Sequence, residues 1–548
     1  MPRVLDLISR TRRLYPEIMS LLNLILLSQA VLWEQGFLGC SALYASKACL
    51  FLVGDKLVFA GTKRDVHDDY STDSWRGFCS GLDPHTGQVL WSTEFTDIPW
   101  SRAASCAPGK DFFYLAGDYA EPYGLLAVKM DYDGNILWQK QLAGPPEFRI
   151  LSYPFSCLRD TNDNMVMVAM AKSAQDMRYR VFLWSLDRTG DTRWTYTYDS
   201  PWGLENAGMK AVMDEEGNSY VVGYYLRGVK GDFGGKIYSY TTGFPVEVAV
   251  FSPETCYPMR PLLLKVNSSG ELVWAQDYGY WTKAGQGHFL EYSGGRLYMT
   301  ARELTGPLYA ESRDGYGQML WNYRYYEEYT SLDLGSGSCV DSTGNLYITG
   351  AKENPGPELF LTSFDSRGRM RFMKFLGTGE GSALSADRVG NIFLGGYLKD
   401  SIGTSFFAVI KLDTLGNVKW IFQREGNFDG NSRAGSCRWL IPDQKGGVFA
   451  MGNFNSCDPS IFPIQYLVHL ADTAEGISEG SESERGLVLT PAPSGFLISG
   501  YEGEAQVYDP AGRLILTREI KSKALIGPLK PGVYFVVAGR QRAKVAVR

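Results

Sequence analysis

Apolar residues in this chain come in short runs, many alternating with polar ones, and each run ends at a turn rich in glycine, aspartate and asparagine. Such a pattern predicts strands and tight turns throughout. The stretch Ser382–Glu425 is the repeating unit and holds four runs. Within it, Asp387–Gly396 (DRVGNIFLGG) reads as a turn followed by a strand, and Lys411–Trp420 (KLDTLGNVKW) as strand, turn and strand. The first phrase returns as Asp214–Gly223, Asp341–Gly350 and Asp443–Gly452, each with a turn glycine six residues before the closing one. The second returns as a glycine four residues before an aromatic: Gly87/Trp91, Gly134/Trp138, Gly190/Trp194, Gly270/Trp274, Gly317/Trp321, Gly368/Phe372 and Gly416/Trp420.

Between Lys47 and Asp472 the first phrase occurs eight times if the degenerate copies Gly54–Gly61, Gly109–Gly117, Asp160–Ala169 and Gly295–Ala301 are included. The expectation is an all-β chain whose residues 31–471 form an eight-bladed β-propeller of four-stranded blades, roughly 55 residues to a blade. The last repeat stops before its own tryptophan strand, while Val31-Leu32-Trp33-Glu34-Gln35 matches Ile136-Leu137-Trp138-Gln139-Lys140. The N-terminal strand can therefore complete the last blade and remove two open sheet edges.

Upstream, Arg3, Arg10, Arg12 and Arg13 precede the apolar run Leu21–Leu27 and the small-x-small site Ser28-Gln29-Ala30, which reads as a signal peptide over residues 1–30. Translation from Met19 and a lipoprotein site at Phe37-Leu38-Gly39-Cys40 are alternatives. The run is too short to span a bilayer, which needs about 20 apolar residues, so no transmembrane span is expected. Residues 472–485 are acidic and serine-rich, a linker by composition. Residues 486–548 alternate short apolar strands with turns and predict a small β-sandwich of immunoglobulin-like type.

The repeats resemble bacterial β-propellers of the pyrroloquinoline-quinone-like or SBBP-repeat type. Leu82-Asp83-Pro84-His85-Thr86-Gly87-Gln88-Val89-Leu90-Trp91 is similar to the tryptophan-docking repeat of quinoprotein dehydrogenases. The other blades lack its threonine-glycine pair, and that family's adjacent cysteines and calcium ligands are missing, so the shape is carried over and the cofactor is not. In the last 60 or so residues, Val507-Tyr508-Asp509-Pro510-Ala511-Gly512-Arg513, Leu529-Lys530-Pro531-Gly532-Val533-Tyr534 and Lys544 resemble the type A-like C-terminal sorting domain of the type IX secretion system. The resemblance implies a partner in the secretion machinery and a location outside the cell or on its surface.

A net charge of −6 without a basic stripe argues against nucleic acid as a partner. Nine cysteines without a CxxC pair and four scattered histidines show no metal-ligand spacing, and neither a metal nor a cofactor is expected. Cys106, Cys157, Cys339 and Cys437 each follow a serine and read as small buried residues of inner strands. Asp131-Tyr132-Asp133-Gly134-Asn135 could pass for a calcium loop, but it lacks the terminal bidentate acid and reads as a turn. Trp33, Trp91, Trp138, Trp194, Trp274, Trp321 and Trp420 are expected to pack between blades and set their spacing.

Both glycine turns of a blade fall on one face, which leaves the variable connections on the other, where binding belongs. Trp100, Tyr153, Phe155, Trp202, Tyr280, Trp281, Tyr325, Tyr326 and Tyr329 lie in those connections, and Trp100, Trp202, Tyr280, Trp281 and Tyr329 are the candidate ligand-binding residues. The insertion Leu226–Pro261 in blade 4 reads as a lid or contact surface. The expected function is non-catalytic binding of an extracellular glycan or protein. A hydrolase or lyase in the central channel is an alternative, with Asp118, Glu121, Glu205, Asp277, Glu327 and Glu328 as its candidate acids. A structural surface or matrix protein is another.

Overall fold

The computed structural model describes residues 29–38, 40–41, 50–65, 74–98, 101–119, 123–201, 205–226, 237–239, 246–249, 259–277, 285–303, 308–324, 332–352, 356–400, 403–428, 431–455, 464–472, 488–492, 495–499, 503–508, 514–521, 523–527, 529, 532–538 and 541–547. Every regular element among them is a strand. Among the described residues no helix is long and apolar enough to cross a membrane. The chain divides into two compact units, Met1–Gly476 and Ile477–Arg548.

In the first unit, consecutive antiparallel sheets follow one another along the chain: blade 1 (50–94), blade 2 (101–143), blade 3 (148–198), blade 4 (205–277), blade 5 (285–324), blade 6 (332–378), blade 7 (379–424) and blade 8 (431–472). Blades 6 and 7 share one strand, Met370–Ala386, which pairs outward as far as Thr378 and inward from Gly379. A bend at Gly377 and Gly379, both at positive φ, makes the change of partner possible. Blade 8 takes its outer strand from the other end of the chain. Gln29–Leu38 pairs antiparallel with Ile464–Asp472, with Trp33 opposite His469. Leu50, Phe59 and Phe78 of blade 1 then share a buried cluster with Trp439, Phe449 and Leu467 of blade 8. The ring is closed, and the unit is an eight-bladed β-propeller.

The core lies between blades, because each sheet is apolar on both faces. Phe113, Leu115 and Val128 of blade 2 pack on Val58, Ala60 and Cys79 of blade 1. On their other face Tyr114, Ala116 and Ala127 meet Met165, Met167 and Phe182 of blade 3. The inner strands carry a bulge in seven blades, for example between Gly208 and Lys210 and between Gly381 and Ala383. The closing glycine of the first phrase lies opposite it. A Cβ on Gly117, Gly223, Gly396 or Gly452 would collide with the carbonyl oxygen of Arg102, Ala207, Glu380 or Ser436 respectively. Serines beside the bulges tie neighbouring blades together: Ser105 Oγ accepts from the Cys157 N–H and Ser156 Oγ from the Ala211 N–H, each at 2.9 Å. The cysteines that follow these serines are buried and packed as small apolar groups.

Within the blade 4 insertion, Ile237–Ser239 pairs with Val246–Ala249. The second unit holds a three-stranded sheet, with Gly495–Ser499 at its centre, and a four-stranded sheet built around Gly503–Tyr508 and Gly532–Ala538. Phe496, Ile498 and Ile526 from the first share one buried cluster with Ala505, Val507, Ile520 and Val536 from the second, a small sandwich.

Candidate functional site

The outer-strand aromatic of each blade except the seventh lies over the turn glycine of the next. Trp33 covers Gly87, Trp91 covers Gly134, Trp194 covers Gly270 and Trp321 covers Gly368, so a Cβ on any of these glycines would stand within about 2.6 Å of the indole. The glycines have φ between +71° and +87°, a conformation that also disfavours a side chain. In four blades the indole N–H donates to a carbonyl of the same turn: Trp33 to Pro84 (2.8 Å), Trp91 to Tyr132 (2.9 Å), Trp138 to Arg188 (3.0 Å) and Trp194 to Ser268 (3.1 Å). Trp274 and Trp321 make the ring contact with no hydrogen-bond partner for Nε1 among the described residues. Trp420 meets no such turn in blade 8, and its Nε1 donates instead to Asp472 Oδ1 at 2.7 Å.

The aspartates that open these turns have their carboxylates turned back on their own loops. Asp131 Oδ1 accepts from the N–H groups of Asp133 and Asn135 and Oδ2 from the Asn135 amide, each at 2.9 Å. Burial works against the Asp131 carboxylate, but those donors and Lys56 outweigh it and hold its pKa below the usual value. Asp160, Asp341, Asp387 and Asp413 repeat the arrangement with Asn164, Asn345, Asn391 and Asn417. These are Asx turns with their acceptor valence used internally.

The five ligand-binding candidates Trp100, Trp202, Tyr280, Trp281 and Tyr329 lie outside the described residues, as do Tyr325, Tyr326, Glu121, Glu327 and Glu328. Tyr153 and Phe155 lie not in a connection but within the inner strand Phe148–Arg159, which begins earlier than the turn pattern suggests; Phe155 is half-buried there, and Asp277 ends the outer strand of blade 4. Asp118 is buried against Arg102, which donates to both of its oxygens at 2.8 and 2.6 Å. Glu205, the first residue of the inner strand of blade 4, is different: its Oε2 is buried without a hydrogen-bond partner among the described residues. Burial lifts its carboxyl to about 7, against the pull of Lys172, Arg178 and Arg180. Near it Arg180 bridges Asp176 (2.7 Å) and Asp199 (2.9 Å), and burial followed by the charge of Glu205 pushes the Tyr224 hydroxyl upward. Blades 3 and 4 thus present a charged cluster with one unspent carboxylate oxygen. Sequence marked Glu205 only as one loop acid among several; its burial depends on strands far apart in the chain.

No family model and no curated protein matches the chain. Among solved structures it is similar to the Dos1 propeller at 11% identity and a TM-score of 0.44, over 79% of this chain and 94% of that one. It is similar to a eukaryotic initiation factor at 9% and 0.35, over 77% and 90%, and to the polysaccharide lyase Uly1 at 9% and 0.39, over 67% and 88%. The architecture stands on this chain's own sheets: its first unit is a β-propeller of eight blades, closed by its N-terminal strand.

Proposed function

We propose that this is an exported or cell-surface propeller that binds an extracellular glycan or protein through the face made by its variable connections, without catalysis. The observation that supports this reading is the contrast between the two faces. On the turn face the repeat carboxylates are consumed by their own loops, whereas the connection face carries the Glu205 cluster and a two-stranded insertion. Trp202, three residues before Glu205, and Trp281 are the proposed aromatic platform. Export rests on the leader in residues 1–30 and on the sorting-like tail in 486–548. Its test is the secreted fraction of a chain truncated after residue 485, which should fall to background. The binding test is a glycan array and a surface-protein screen of the full mature chain beside the Trp202→Ala/Trp281→Ala double variant. A hit lost in the variant supports the site, and unchanged affinity removes it.

One observation favours a second reading. A carboxyl at about 7 is suited to general acid–base work, so a hydrolase or lyase would use Glu205. Turnover of a polysaccharide that is abolished by Glu205→Gln would establish it.

A further inference from the structure

A cleft of about 330 Å³ opens on the turn face between blades 6 and 7. It lies where the repeat is broken, because Phe372 occupies the docking position that tryptophan fills in the other blades that carry the second phrase. Phe372 still covers the next turn glycine, Gly416, where a Cβ would stand 2.7 Å from the ring. It has no N–H for the carbonyl of Thr414, the counterpart of Tyr132 and Arg188, and the Tyr347 hydroxyl faces that carbonyl at 3.3 Å instead. Thr414 lines the cleft.

The cleft also holds Arg371, Arg388, Asp341, Asp387 and Ser342. Its two carboxylates are spent. Asp341 accepts from the N–H and hydroxyl of Thr343, from the N–H and amide of Asn345 and from Tyr347; Asp387 accepts from the N–H of Val389 and from the N–H and amide of Asn391. Its two arginines are not spent. Arg371 is fixed through Nη1 alone, to the Tyr347 hydroxyl (2.8 Å) and Ser363 Oγ (3.2 Å), with its guanidinium 5.8 and 6.0 Å from the rings of Tyr347 and Phe372. Its Nε and Nη2 have no protein acceptor among the described residues, and neither has exposed Arg388. A held guanidinium with a free edge, a second arginine and a serine hydroxyl match the forked geometry of an oxyanion. The volume is at the lower end of that of small-molecule sites, enough for a sugar-sized body and not only for a bare ion.

We infer that the cleft between blades 6 and 7 is a binding site for a sugar-sized molecule bearing an oxyanion, with Arg371 and Arg388 as its anion ligands and the tryptophan-to-phenylalanine change at 372 as the feature that opens it. This site is on the opposite face from the proposed loop platform and does not depend on it. The shared chemistry is the oxyanion. Titrating the full mature chain by calorimetry with glucuronate, glucose 6-sulfate and glucose 6-phosphate distinguishes carboxylate, sulfate and phosphate as its source, with glucose as the neutral control. At least one acid should bind with a Kd on the order of millimolar or tighter, and glucose should not. Phe372→Trp should fill the cleft and weaken binding about tenfold or more while leaving Tm equal or higher; Phe372→Leu should keep it open and bind as wild type. Arg388→Gln, at an exposed turn position, should weaken binding about tenfold with Tm unchanged. Silence from all three acids, equal binding of glucose, or full binding by the tryptophan and glutamine variants would overturn the assignment.

Discussion

Gly223 and Trp420 show how much of this repeat is dictated at single positions. A methyl group on Gly223 would meet the Ala207 carbonyl at the bulge, so Gly223→Ala must displace the inner strand of blade 4. We expect a loss of about 1–3 kcal/mol, read as a lowered midpoint in urea unfolding. Ala301 occupies the matching place in blade 5, opposite Gly287 as Gly223 is opposite Gly208, so there the strands already accommodate a Cβ. There the reverse change, Ala301→Gly, should cost well under half as much. Trp420 is 1% exposed and bonded to Asp472, so Trp420→Ala should cost about 3–5 kcal/mol, and half-buried Trp91→Ala should cost less. An inverted order would mean that docking over the next turn, which Trp91 has and Trp420 lacks, outweighs depth of burial. These positions were legible in the sequence because each has a steric reason to recur. The aromatics proposed to bind ligand have no such reason, and nothing periodic distinguishes Trp202 from any other loop tryptophan.

At the scale of the strand, the ring depends on Gln29–Leu38. Glu34 in that strand accepts from Arg424 at 2.9 Å and from the Tyr466 hydroxyl at 2.7 Å, and Trp33 reaches across to blade 1. The likeness of Val31–Gln35 to a blade 2 strand made this pairing readable, because an outer strand must repeat the same alternation to meet the same partner. The end of the circuit was not readable. Composition places Asp472 at the head of an acidic linker, whereas it is the last residue of the strand Ile464–Asp472 and accepts from Lys411 Nζ at 2.6 Å and from Trp420 Nε1. Lys411 is 1% exposed, so Asp472→Ala would leave a buried ammonium without its counter-charge, its remaining bond being to the Gly446 carbonyl. Removing one partner of such a pair costs about 3–5 kcal/mol. Asp472→Ala should therefore match Trp420→Ala in stability loss, and the double variant should lose less than the sum. Strict additivity would sink the idea that the two share one latch.

For the whole molecule, the same turns set the response to pH. Asp131, Asp341, Asp365, Asp413 and Asp443 are each resisted by burial and yet held below the usual aspartate value by donors of their own turns or, for Asp443, first by His469. A carboxyl depressed in the fold contributes stability that is complete above its unfolded value near 3.9 and is lost as pH falls through the lower folded value. With these turns repeated around the ring, Tm should be level above about pH 5 on their account and drop steeply below pH 4. Glu205 works in the opposite direction. Its folded value of about 7 lies above the ordinary 4.5, so between those values the fold holds a proton that the unfolded chain has released, and stability declines as pH rises across that window. Glu205→Gln removes the decline. Melting wild type and variant side by side should therefore give equal Tm values near pH 5, a higher Tm for the variant by pH 8, and no further divergence beyond. A constant offset at every pH would place the effect in packing, and with it would go the physical basis for treating Glu205 as the unspent group of the connection face.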